Sequence, residues 1–157
     1  MKKAVILYAS VHHKNTEKVV NYIASAIDAD VIDLLKNRNP SIEQYELIIL
    51  ASGIYFGSFH KVLLEYMKAT SFEGKNVIVV YTCGIPYRNY AKSSEKILRE
   101  NNANYISAFH CRGYDTYGPF GKIGGIAKNH PSQQDMNRLL HNVRISADNI
   151  LLSLIHI

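Results

Sequence analysis

The residues best suited to chemistry lie just past the first apolar run, in Ala9-Ser10-Val11-His12-His13-Lys14-Asn15-Thr16-Glu17, which opens directly into an amphipathic stretch. In such a segment backbone N–H groups, the hydroxyls of Ser10 and Thr16 and the positive end of a helix dipole converge, and together they suit an anion. The spacing matches neither GxGxxG nor GxxxxGK followed by Ser or Thr, so one phosphate is expected rather than a cradled pyrophosphate. His12 and His13 have no carboxylate or metal partner legible in the sequence. They are read as loop donors to phosphate or water, against the alternative of a general acid.

Other reactive groups are sparse. Two cysteines, Cys83 and Cys111, are too few for a disulfide framework, and no CxxC or His/Cys cluster has zinc spacing. Both are expected as reduced thiols at the ends of neighbouring strands, small hydrophobes rather than a redox pair. A phosphoryl-accepting receiver is excluded by residue type, because Ala9-Ser10 and Ala51-Ser52 stand where carboxylates are needed. A hydrolase is disfavoured, since Ser52-Gly53-Ile54-Tyr55-Phe56-Gly57 is not a GxSxG elbow.

These groups must be held by a scaffold. The chain has 157 residues, 47% hydrophobic and 20% charged, the composition of one ordered globular domain. Val5-Ile6-Leu7-Tyr8, Leu47-Ile48-Ile49-Leu50 and Val77-Ile78-Val79-Val80-Tyr81 are short apolar runs rich in β-branched residues, which read as strands buried on both faces. Val31-Ile32-Asp33-Leu34 and Tyr105-Ile106-Ser107-Ala108-Phe109 complete five strands. Between them, Val19, Val20, Ile23 and Ile27, then Val62, Leu63, Tyr66 and Met67, have the spacing of single helix faces. Alternating strands and helices predict an α/β fold: one doubly wound, five-stranded parallel sheet with helices on both faces. A last helix follows the capping box Ser132-Gln133-Gln134-Asp135 and buries Met136, Leu139, Leu140, Val143, Ala147, Ile150 and Leu151. Residues 1–151 are taken as the domain. Residues 152–157 resemble a translated sequencing adapter, the alternative being that Leu154 and Ile155 continue the helical stripe.

Eighteen basic against 13 acidic residues give a net charge of +5, which favours anionic partners. The cations are scattered in ones and twos, with no basic helix face, so nucleic acid is not expected. No run approaches the length of a membrane span, and the first residues make a poor signal peptide, which predicts a cytoplasmic protein.

Beyond composition, Tyr8-Ala9-Ser10 followed by Asn15-Thr16-Glu17 resembles the phosphate loop of the flavodoxins. Ser52-Gly53-Ile54-Tyr55-Phe56-Gly57 is similar to their first flavin-edge loop and Thr82-Cys83-Gly84 to their second, while Gly113-Tyr114-Asp115-Thr116-Tyr117-Gly118-Pro119-Phe120 resembles a segment of a short bacterial subgroup. The resemblance covers almost the whole chain and implies the strand order 2-1-3-4-5, with FMN at the switch point. Departures occur in the phosphate loop, where His12, His13 and Lys14 replace the usual Thr and Gly and one residue is added. By the same resemblance Ser10, His12, His13, Lys14, Asn15 and Thr16 hold the phosphate. Ser52, Gly53, Ile54, Gly57, Thr82, Cys83 and Gly84 line the ring, with Tyr55, Phe56 and Tyr87 as aromatic walls. Gly57 is the candidate for the peptide that meets N5 of the reduced flavin. Asp115 and Thr116 are assigned to the flavin edge or a substrate, or simply to a turn. Gly113 to Pro131, rich in glycine and proline, reads as a lid or docking loop.

The resemblance implies an FMN flavoprotein that transfers electrons to a redox protein or a small acceptor. Two alternatives stand beside it: a small FMN-dependent NAD(P)H or quinone-type reductase, and a flavin-free docking module on the same fold.

Overall fold

A computed structural model describes residues 3–11, 14–85, 88–113 and 129–155, the last five of these as backbone only. The elements are β1 (Ala4–Ala9), α1 (Asn15–Ile27), β2 (Asp30–Asp33), β3 (Leu47–Tyr55), β4 (Ser58–Phe59), α2 (Lys61–Ala69), β5 (Asn76–Cys83), α3 (Lys92–Glu100), β6 (Asn104–Arg112) and α4 (Gln133–Ile155). The apolar runs of the sequence are the centres of five parallel strands, ordered β2-β1-β3-β5-β6. Renumbered without the short β4, this is the expected 2-1-3-4-5.

Because side chains alternate across a strand, each run feeds two cores at once. Val5, Leu7, Ile48, Leu50, Val77 and Val79 face α2 and α3, meeting Leu63, Met67 and Leu98. Ala4, Ile6, Ile49, Ile78 and Val80 face α1 and α4, meeting Val19, Ile23, Leu139 and Val143. Double burial explains why these strands are continuous apolar runs rather than alternating ones.

The termini of α4 and α1 differ in how they are capped. At the start of α4, the amide of Ser132 donates to Asp135 Oδ2 at 2.7 Å and the amide of Asp135 donates to Ser132 Oγ at 3.2 Å, the reciprocal box expected from the sequence. Burial alone would raise the Asp135 carboxyl, but the Ser132 amide and hydroxyl and the imidazole of His130 hold it below its ordinary value. In contrast, α1 begins after Lys14, which is left-handed (φ 51°, ψ 35°) and gives no side-chain cap. The helical backbone of α4 continues through Ile155, four residues past the expected domain end.

One strand was not foreseen. The sequence suggests a loop over residues 52–57, yet β3 continues to Tyr55 and folds back on β4, pairing Ile54 with Phe59 and Tyr55 with Ser58. The two turn residues, Phe56 and Gly57, have φ of 53° and 76°. Positive φ at both centres is the mirror-image turn whose twist suits a two-residue hairpin. Gly57 adopts it freely, whereas a β-carbon makes the same conformation cost Phe56 about 1–2 kcal/mol.

Candidate functional site

The carboxyl ends of β1, β3, β5 and β6 meet on one edge of the sheet, and nearly every described residue expected in the site lies there. The loop after β1 is drawn in from two sides. Ser10 Oγ accepts from the amide of Glu17 at 3.4 Å, reaching into the first turn of α1 in place of a cap from Lys14. Across the sheet, the phenol oxygen of Tyr55 accepts from the amide of Val11 at 2.8 Å. The Tyr55 ring therefore turns inward over Gly53, where a β-carbon would stand 2.9 Å from the phenol oxygen. His60 packs edge-on against that ring, 5.4 Å between centroids.

Thr16 is 1% exposed, and its hydroxyl is hydrogen-bonded to that of Thr82 at 2.9 Å. Whichever donates, one hydroxyl hydrogen of the pair remains for another acceptor. The contact joins the start of α1 to the end of β5, two segments expected at opposite parts of the site. Asn15 abuts the end of β6, since a β-carbon on Gly113 would lie 2.6 Å from Asn15 Nδ2, and the Gly113 amide donates to Cys83 O at 2.9 Å. A side chain at 113 would therefore force Asn15 to shift.

Ser52 supports the turn from beneath. Its hydroxyl donates to Gly53 O at 2.6 Å and accepts from the His60 amide at 2.9 Å. His60 in turn caps α2, with Nδ1 accepting from the Val62 amide at 3.0 Å. That bond needs a bare Nδ1, and burial, reinforced by Arg38 and opposed by Glu65, holds the His60 pKa below its ordinary value. Above this framework Phe56 is 84% exposed. A large apolar side chain that is both strained and exposed costs the fold stability by itself.

Two arginines complete the site, and neither was expected from the sequence. Arg88 Nη2 donates to Gly57 O at 2.7 Å while its guanidinium lies over the Tyr90 ring, 5.1 Å from the centroid. Arg112 donates through Nε and Nη2 to Gly84 O at 3.0 and 2.9 Å. Spacing gives no hint of either, because donor and acceptor are separated by 31 and 28 residues. Lys14, the residue before α1, adds a third basic residue to the segments at this edge of the sheet. Beside Arg88, a groove of about 600 Å³ runs between α3 and β6 past Tyr81, His110 and Tyr105.

Not every expected residue converges. His12, His13, Tyr87, Asp115 and Thr116 lie outside the described residues, as does most of the segment from Gly113 to Pro131. Cys83 and Cys111 are both buried and outside any disulfide, but they belong to opposite faces of the sheet, because Thr82 and not Cys83 is the register partner of Cys111. Burial, with Asp135 and Cys83 adding to it, pushes the Cys111 thiol up to about 12. Among the described residues no cluster of His, Cys, Asp or Glu is arranged for a metal, and no helix is long and apolar enough to cross a membrane.

Comparison with known proteins places this geometry. The family model described as "Flavodoxin domain" matches residues 5–123. An uncharacterized protein of Methanocaldococcus jannaschii is 38% identical over 138 residues, which cover 87% of this chain and 92% of that protein. Among solved structures, oxidised flavodoxin 2 from Bacillus cereus aligns with a TM-score of 0.72 at 17% identity, covering 94% of this chain and 99% of its own. A flavoprotein from Lactobacillus acidophilus, solved in complex with FMN, aligns with a TM-score of 0.54 at 21% identity over 70% of this chain and 93% of its own.

Proposed function

This chain belongs to the flavodoxin family, and we propose from that premise that it binds FMN and passes electrons through it to a redox protein or a small acceptor. The observation that carries the reading is the Phe56–Gly57 turn, which holds an 84% exposed aromatic ring in a left-handed conformation beside the polar loop that opens α1. Burying Phe56 against a flat ring returns the solvation cost of its exposure and gives the strain a purpose.

The residues present fit the group. The loop from Ser10 to Thr16 and the amino end of α1 suit its phosphate, with Lys14 adding charge and the Thr16–Thr82 hydroxyl pair retaining one hydrogen to donate. Gly57 and Gly84 would offer backbone to the polar edge of the ring, and Phe56 would offer a wall. Bound FMN would supply one- and two-electron chemistry, and the chain contributes binding, orientation and electrostatics. Neither buried thiol is assigned a redox step in this reading, and burial pushes that of Cys111 up to about 12.

Titration of flavin-free protein with FMN and with riboflavin, followed by quenching of flavin fluorescence, tests the proposal. Saturable binding that favours FMN is expected. A folded protein that binds neither flavin would leave the docking module instead.

The groove beside Arg88 bears on a second reading, the small reductase, because this open cleft of about 600 Å³ has room for a small acceptor. Oxidation of NAD(P)H by the FMN-loaded protein, accelerated by a quinone, would select it over the electron carrier.

A further inference from the structure

Five polar or charged side chains are buried among the described residues: Thr16, Ser52, Thr82, Ser94 and Asp135. Three of them are satisfied within the fold. Ser52 donates to Gly53 O at 2.6 Å and Ser94 donates to Ala91 O at 2.8 Å, while the Asp135 carboxylate accepts from the Ser132 amide. Thr16 and Thr82 differ. Each is the other's partner at 2.9 Å, so two hydroxyls carry two hydrogens and share one bond. Among the described residues neither side chain has a further acceptor, and with the two threonines 1% and 4% exposed, water has little access to the hydrogen that is left.

Such a pair is a poor stitch between a helix and a sheet. A buried donor without an acceptor costs stability, whereas two apolar side chains of the same shape leave nothing unpaired. The arrangement becomes favourable once an acceptor is supplied from outside the chain. Its position suits an anion, because Thr16 stands in the first turn of α1, where helix amides lack intrahelical carbonyls. Thr82 reaches it from β5, in register with Gly53 of β3 and Cys111 of β6. Cys111 belongs to the core under α1 and α4, and Thr82 shares that face of the sheet. The flavodoxin resemblance assigns Thr82 to the ring, but its hydrogen bond ties it to the opposite end of the site.

We propose that Thr82 is a positioning residue for the phosphate rather than part of the ring's lining: its hydroxyl donates to Thr16 Oγ, and the hydroxyl of Thr16, fixed in this way, donates to a phosphate oxygen. The identity of the anion rests on the FMN reading. With phosphate bound, both hydrogens of the pair are used, and each bond in the chain polarises the next.

Valine replaces either threonine with nearly the same shape and no hydroxyl. In titrations of flavin-free protein, Thr16→Val is expected to weaken FMN about tenfold, the scale of one hydrogen bond to a charged group, and to leave riboflavin unchanged. Thr82→Val should weaken FMN by about threefold, again without effect on riboflavin, because it removes support for the donor and not the donor itself. The double variant should bind FMN no more weakly than Thr16→Val alone, and Thr82→Ser should restore wild-type affinity. Equal losses of FMN and riboflavin in Thr82→Val would return Thr82 to the ring and overturn the proposal. Additive losses in the double variant would overturn it too, since Thr82 would then have a contact of its own.

Thermal unfolding of the flavin-free variants separates a site from a cross-link. Each single valine should lower the midpoint by stranding the other hydroxyl, and the double variant should regain the wild-type midpoint or exceed it. A double variant that loses the sum of the two singles would show that the pair only holds the fold together. Wild-type protein that binds neither FMN nor inorganic phosphate would overturn the FMN reading and this inference together. Wild-type protein that prefers FMN, with the same preference over riboflavin kept in Thr82→Val, would overturn this inference alone.

Discussion

Phe56 shows how a single side chain can cost a fold stability. At φ 53° it occupies a conformation that asparagine tolerates far better, and its ring gains little from solvent. Phe56→Asn should therefore stabilise the flavin-free protein by about 1 kcal/mol, raising its midpoint of thermal unfolding by about 2–4 °C, while weakening FMN binding. A variant that loses both stability and binding would show that the ring supports the fold. Tyr55 presents the opposite case, an aromatic turned inward. Its hydroxyl already occupies the one hydrogen of the Val11 amide, so a phosphate seeking that amide competes with it. Tyr55→Phe should tighten FMN about fivefold, the net worth of one hydrogen bond, and leave riboflavin unchanged in parallel titrations. Weakened FMN binding would mean that the phenol itself contacts the ligand.

Among the elements, α2 depends on an unusual cap. His60 accepts the Val62 amide through Nδ1, and a protonated imidazole has no lone pair there. Its pKa is lowered in the fold by burial and by Arg38, so its contribution to stability is present above the unfolded value of 6.5 and is lost as pH falls through the lower folded value. His110, lowered by burial, acts in the same direction. Denaturant midpoints should fall as pH drops from about 7.5 to below 6.5, and His60→Asn, which keeps a capping oxygen, should flatten part of that slope, the part due to His110 remaining. An unchanged slope in His60→Asn would remove the cap from the account. At α4 the cap is the ordinary reciprocal one, and there the residue types alone were enough to find it.

For the molecule as a whole, the doubly wound sheet separates what adjacency in sequence and strand order bring close. Cys83 and Cys111 lie on neighbouring strands but open onto different cores. Both thiols should react with a disulfide reagent only slowly in the native protein and rapidly in denaturant, measured by thiol release, since the thiolate is the reactive form and burial suppresses it at Cys111. Fast native reaction of either would show that the sheet edge opens. The net charge of +5 likewise gains meaning only in three dimensions, because the fold assigns Arg88 and Arg112 to the site edge.

The sequence by itself determined the fold class, the strand order by resemblance, and the capping box of α4. Runs such as Leu47-Ile48-Ile49-Leu50 are legible because burial on both faces demands apolar residues at every position, and helix faces such as Val62, Leu63, Tyr66 and Met67 because a helix buries one stripe. Only the tertiary structure decided that β3 continues to Tyr55 and returns as β4, that Tyr55 reaches Val11, that Thr16 joins Thr82, and that two arginines hold Gly57 and Gly84. The Phe-Gly pair between two strand-like segments was a faint signal for the hairpin, weak because phenylalanine is a poor residue for such a turn. The other contacts join residues 28 to 66 positions apart. Their geometry is set by strand register and packing across the sheet, and periodicity within one element carries no record of it.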